Sequence, residues 1–134
     1  MTQEEKDLLL KDLCARLPYG VRYRHLAWDD ERGEECIAAK IYSINSDGYV
    51  KNCYDDETIY IDNVHPYLFP LSSMTEEQYD QLYIDSRVKN DSIDILDALA
   101  NDMDAIDYCN KNHLDWRGLI PKGLAIDATG LDIY

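Results

Sequence analysis

The chain predicts an α+β fold: an N-terminal helix, a small four-stranded antiparallel sheet able to curl like a barrel, and two C-terminal helices. Three observations carry that expectation. Leu9, Leu10, Leu13 and Leu17 recur at helical spacing near the start. Residues 21–64 alternate β-branched and aromatic runs with Asn, Asp and Gly turns. After residue 74 a second capping signal and helical spacing return. At 134 residues the length predicts one domain. It divides into a helix at 1–17, a β-meander at 21–64, a helical pair at 75–110 and a packed tail at 111–134.

The first helix begins at a capping box. Thr2 and Glu5 have the T-x-x-E spacing that satisfies the orphan amides of a helix start. The leucines form its apolar face, with Cys14 on the same side, and Pro18 and Gly20 stop it. Residues 21–28 are the first strand and 36–44 the second, joined by the acidic turn Asp29-Asp30-Glu31-Arg32-Gly33. Asn45-Ser46-Asp47-Gly48 turns into a third strand at 49–54, because Asn, Asp and Gly accept left-handed backbone. Asp55-Asp56-Glu57 turns again into a fourth strand at 58–64.

Pro66 and Pro70 then exclude helix and central strand alike, which predicts an extended crossover held to the core by Leu68, Phe69 and Leu71. Thr75 and Gln78 form a second capping box, opening a helix to about residue 87. A third helix is expected over 92–110, with Asp94, Asp97, Asp104 and Asp107 off its apolar stripe. Arg117 is expected to pair with that acidic helix, and the apolar tail to pack.

Charge bounds function. The formal net charge is −14, while 46% of residues are hydrophobic, enough to build a core rather than an acidic disordered chain. The excess lies in the middle: residues 25–74 hold ten acids against three bases, and residues 75–107 ten against two. Such a surface repels nucleic acid and anionic lipid and attracts basic partners. The only local basic cluster, Arg16, Arg22 and Arg24, is too small to reverse that field. No apolar run reaches the ~20 residues that span a membrane. The start of the chain is polar and acidic, unlike a signal peptide, so cytoplasmic residence is the default expectation. Cys14, Cys36, Cys53 and Cys109 are scattered, which predicts reduced and mostly buried thiols.

Tests for chemistry return little. His25, His65 and His113 are far apart, and the close ligand pairs of a zinc site are missing. Cys109 and His113, four apart, are two ligands and not a site. The Asn45-x-Asp47-Gly48 turn lacks the first and twelfth ligands of a calcium loop, where Ser43 and Tyr54 stand. Aspartates three or four apart on the third helix read as a solvated face before they read as catalytic carboxylates. No Gly-rich phosphate loop occurs. These patterns predict no catalytic residue, no cofactor and no metal.

Eleven tyrosines stand against one phenylalanine, and tyrosine suits interfaces as well as half-buried positions. The candidate protein interface is Asp29, Asp30, Glu31, Tyr49, Tyr54, Asp55, Asp56 and Glu57, where tyrosines and acidic turns cluster along the sheet.

Three blocks carry a resemblance: LLLKDLCARLPYGV at 8–21, PYLFPLSSMTEE at 66–77 and DWRGLIPKGLA at 115–125. In that order they resemble a family of short uncharacterised proteins of gut Bacteroides-type bacteria and their phages or mobile elements. Members often carry arginine where Phe69 stands and an aromatic where Trp116 stands. The resemblance implies a gene context and no activity. The expected function is therefore a non-enzymatic acidic accessory protein of phage or mobile-element type that binds a basic protein partner. It would make no direct contact with nucleic acid or membrane, and self-association is compatible with the same features. The alternative is a small enzyme or ligand-binding domain with its site between sheet and helices, marked by a concave pocket holding two of His25, His65, Cys53 and Asp62 in contact.

Overall fold

A computed structural model of the chain describes residues 1–31, 33–55, 57–81 and 103–134. Helix α1 spans Gln3–Arg16. Its capping box is complete: Thr2 Oγ1 accepts from Glu5 N at 3.1 Å, and Glu5 Oε1 accepts from Thr2 N at 3.0 Å. A 3-10 turn, Leu17–Tyr19, follows with Pro18 in its first positions, and Gly20 ends it with φ at +74°. Leu9 and Leu13 are buried as the leucine spacing requires. Cys14 is exposed, so it does not share that face. The buried positions one turn apart are instead Asp12 and Arg16, an ion pair inside the protein.

Four strands form one antiparallel sheet in sequence order: β1 at Arg22–Asp29, β2 at Gly33–Ile44, β3 at Tyr49–Asn52 and β4 at Thr58–Tyr60. Sheet and helices together make the fold α+β. From Val21 through β1, Val21, Tyr23, His25 and Ala27 alternate inward with Arg24, Leu26 and Trp28 outward, the period of a half-buried strand. The β2–β3 turn is set by Asn45, whose Oδ1 accepts from Asp47 N and Tyr49 N, both at 3.0 Å. Gly48 has φ at +88°, and an added Cβ would meet Ile61 Cγ2 at 3.2 Å, so glycine suits that position twice over. The fourth strand is shorter than expected. It ends at Tyr60, and a 3-10 turn, Ile61–Asn63, replaces its second half and buries Ile61.

The proline-bounded segment departs from expectation. Strand β5, Tyr67–Pro70, is the central strand of a parallel three-stranded sheet, between β6 at Leu114–Asp115 and β7 at Ile126–Asp127. The prolines sit where no donor is needed. Phe69 N donates to His113 O, while the carbonyls of Pro66 and Leu68 accept from Ile126 and Ala128, all at 2.8 Å.

Helix α2, Glu76–Gln81, starts at its capping box, with Gln78 N donating to Thr75 Oγ1 at 3.2 Å. Helix α3, Met103–Lys111, is the described part of the expected third helix. The continuation of α2 to about residue 87, and the third helix over 92–102, lie outside the described residues. One core joins α1, the four-stranded sheet and the tail through Leu9, Leu13, Val21, Tyr23, Leu68 and Leu119. A second gathers Met74, Cys109 and Leu114 under Phe69 and Trp116. Leu119, Leu124 and Ala125 of the tail are buried in the first core. Among the described residues, no helix is long and apolar enough to cross a membrane.

Candidate functional site

The β1–β2 and β3–β4 turns fall at the same end of the meander, because antiparallel strands reverse at each turn. Two of the predicted acidic segments therefore lie toward that end of the sheet. Strand β2 overshoots β3: it pairs with β3 only from Ile41 onward, while its first half pairs with β1 alone. The outer half of the hairpin is a two-stranded arm, with Asp30 and Glu31 at its tip.

The floor of this end is built from buried polar side chains. Tyr23, fully buried, accepts through its hydroxyl from Asn52 Nδ2 at 2.8 Å. Asn52 Oδ1 accepts from Tyr54 N at 2.9 Å and Asp55 N at 2.7 Å, which fixes the start of the acidic loop. Asp55 Oδ1 accepts from Glu57 N at 3.0 Å, and its Oδ2 lies 2.9 Å from His25 Nε2. Glu57 Oε2 lies 3.6 Å from the same nitrogen. The hydrogen bond from His25 holds the Asp55 carboxyl below its ordinary range. His25 is only 2% exposed, and its Nδ1 is buried without a partner.

The sheet curls so that its outer strands share one cleft of about 310 Å³, lined by Arg24, His25 and Leu26 on one side and Glu57, Ile59 and His65 on the other. The near half of β1's outer edge is covered: Arg22 N donates to the Tyr134 hydroxyl at 2.9 Å and Arg24 N to His65 O at 3.1 Å. Alternate residues of an antiparallel strand bond to opposite sides. Leu26 and Trp28 follow on that edge, and their amides have no partner among the described residues. Their side chains are 54% and 73% exposed.

The predicted interface residues thus divide. Asp30, Glu31, Tyr54, Asp55 and Glu57 share the acidic end, with Asp30 Oδ1 accepting from Trp28 Nε1 at 3.2 Å. Asp29 closes β1 opposite Gly33. Tyr49 lies at the other end of β3, edge-on to Tyr60 at 5.3 Å. Asp56 is outside the described residues. Sequence reasoning named His25 only as a marker of the alternative pocket, and it missed Leu26 and Trp28. Strand alternation was the available signal, since it put His25 inward and Leu26 and Trp28 outward.

Other expectations are corrected. Arg117 pairs with Asp12 of α1 at 3.1 Å, and its guanidinium lies 4.1 Å from the Trp116 ring centre; Asp94 and Asp97 of the helix it was expected to pair with lie outside the described residues. Asp12 has one oxygen for each arginine, so α1 is where the charge is needed. Arg16 is buried, which dissolves the basic cluster it was to form with Arg22 and Arg24. Cys14, Cys36 and Cys53 are exposed, and only Cys109 is buried. Burial raises the Cys109 thiol to about 11, leaving it unreactive at neutral pH.

A second cleft, of about 570 Å³, lies between the parallel sheet and the helices, lined by Phe69, Gln78, Lys111, His113, Thr129 and Tyr134. His113 has left-handed backbone, φ +58°, and stacks on Tyr134 at 3.7 Å. Burial lowers its imidazole to about 4, so it is neutral at pH 7.

No family model, curated protein or solved structure matches the chain.

Proposed function

We propose that the protein is a non-enzymatic acidic accessory protein of phage or mobile-element type, binding a basic protein partner at the arm end of its sheet. The exposure of Trp28 and Leu26 on a strand edge whose amides have no partner among the described residues carries this reading. A large aromatic at such an edge is a costly surface for an isolated protein and a good anchor for a partner. Asp30 accepts from the Trp28 indole, Glu34 stands opposite Trp28 on β2, and Glu57 lines the cleft with Leu26, acids that favour an approaching basic chain. An extended segment of the partner would add to β1 beyond Arg24, with main-chain bonds supplying affinity and the acids supplying steering.

The test is capture from host lysate at low and high salt, by the wild-type chain and by Trp28→Ala, with the captured protein then purified and titrated. Recovery of a basic protein at low salt, lost at high salt and lost with Trp28→Ala, supports the reading. Capture indifferent to both overturns it.

One observation favours the ligand-binding alternative. The 570 Å³ cleft has the size of a small-molecule site and holds a neutral, buried His113 beside Lys111. Of the four marker residues, His25 and His65 share the smaller cleft, Asp62 pairs with Lys6 at 3.4 Å, and Cys53 is exposed. Ligand screening by NMR, read at the His113 and Tyr134 rings, decides it. Shifts at those rings support a ligand site, and their absence across the screen removes it.

A further inference from the structure

The geometry points to a divalent metal site of the zinc class formed by His25, Asp55 and Glu57. One donor atom from each of the three lies within 4.8 Å of the other two. Donors about 2.1 Å from one tetrahedral ion stand roughly 3.4 Å apart. The separations from His25 Nε2 bracket that value, at 2.9 Å to Asp55 Oδ2 and 3.6 Å to Glu57 Oε2. An ion needs the first to open by about half an ångström and Glu57 to swing inward. The Glu57 side chain is 62% exposed, so solvent rather than packing surrounds most of it.

Three further features favour an ion over a bare hydrogen bond. The donors come from two elements fixed by different means: His25 by the inward face of β1, Asp55 by the Asn52 and Glu57 amide bonds. The imidazole is already half satisfied. Nε2 donates to Asp55 while buried Nδ1 has no partner, so moving the proton to Nδ1 to free Nε2 creates no new orphan atom. Finally, one neutral imidazole with two carboxylates balances a divalent charge, and it removes the repulsion between Asp55 and Glu57. Imidazole with carboxylate suits zinc and its neighbours in the transition series better than magnesium or calcium, which take oxygen donors. The cleft leaves the fourth position open to water or to an incoming group.

This inference does not depend on the proposed partner, because metal uptake is read on the isolated chain. Zn²⁺ is titrated calorimetrically into the wild-type protein and into a Cys14→Ser, Cys36→Ser, Cys53→Ser chain, since exposed thiols bind zinc by themselves. In parallel, the His25 ring nitrogens are followed by NMR on the wild-type chain. One equivalent is expected in both chains, with the His25 Nε2 resonance shifted and Mg²⁺ without effect. Glu57→Gln, an exposed change that leaves folding intact, weakens uptake on the order of 10–100-fold, and Asp55→Asn does the same. Uptake that disappears with the thiols, that leaves the His25 ring unmoved, or that both carboxylate variants retain overturns the site. So does the absence of any uptake.

Discussion

Two clusters of charge, one under α1 and one at the mouth of the curled sheet, use the same residue types to opposite ends. In the first, Asp12 and Arg16 are fully buried and each of their side-chain nitrogens and oxygens has a partner. Asp12 accepts from Arg16 Nε at 2.8 Å and Arg117 Nε at 3.1 Å. Arg16 donates onward to Leu114 O at 2.6 Å and Cys109 O at 3.5 Å. This cluster ties α1 to α3, β6 and the tail, and it is closed to solvent with every side-chain nitrogen and oxygen partnered. In the second, His25 is buried but Asp55 and Glu57 are progressively exposed, and the cleft leaves lone pairs unspent. Saturation, rather than charge, separates a structural ion cluster from an available one.

The largest expected effect breaks the saturated cluster. Asp12→Ala strands Arg16 as an unpaired buried charge and is expected to cost about 3–5 kcal/mol, measured by denaturant unfolding. The double change Asp12→Leu, Arg16→Met removes both charges and recovers much of that loss if packing is kept. A loss under about 1 kcal/mol for the single change would mean that water reaches the cluster.

Next comes a proton. The folded pKa of His113, about 4, lies below the ordinary imidazole value of 6.5, so the unfolded chain takes up the proton first. Its contribution is complete above pH 6.5 and falls as pH drops toward 4. It levels off below that, after a total loss on the order of 3 kcal/mol. His113→Asn, which tolerates the left-handed backbone, is expected to flatten that part of the stability–pH curve.

Smaller again is one hydroxyl. Two-fifths of Tyr134 is exposed, yet its hydroxyl is enclosed. It accepts from Arg22 N and donates to Tyr67 O at 2.8 Å, and burial raises it to about 12. Tyr134→Phe leaves Arg22 N unpaired and is expected to cost about 1–2 kcal/mol. The smallest effects belong to the open end: Trp28→Ala and Glu57→Gln are expected to change stability by less than about 0.5 kcal/mol in thermal melts. A larger loss from either would show that the arm end is structural too, and the contrast would fail.

The sequence carried the local signals well and the long-range ones poorly. Both capping boxes, the Asn45 turn and the order of the antiparallel strands were legible, because each is decided by residues within a few positions. The parallel sheet was not. Pro66 and Pro70 forbid donation, but whether a strand needs those donors depends on partners about 45–60 residues away, at Leu114 and Ile126. Arg117 was assigned to a nearby acidic helix, and it reached Asp12 at a distance of 105 residues. The acidic end was half legible. Alternating turns put Asp30 and Asp55 at one end, but the aim of His25 toward Asp55 required the sheet to curl.

The placement of the two tryptophans gives the molecule a pair of optical probes, one for each cluster. Trp28 stands in solvent among carboxylates, and Trp116 is half-buried beneath Arg117, its Nε1 donating to Asn110 at 3.0 Å. The local potential then sorts charged quenchers. Caesium ions gather at the acids and dim the red-shifted emission of Trp28, while iodide is turned away from it. Adding salt narrows the gap between the two quenchers as the field is screened. Light alone thus tells which half of the molecule a bound ion, partner or denaturant reaches first.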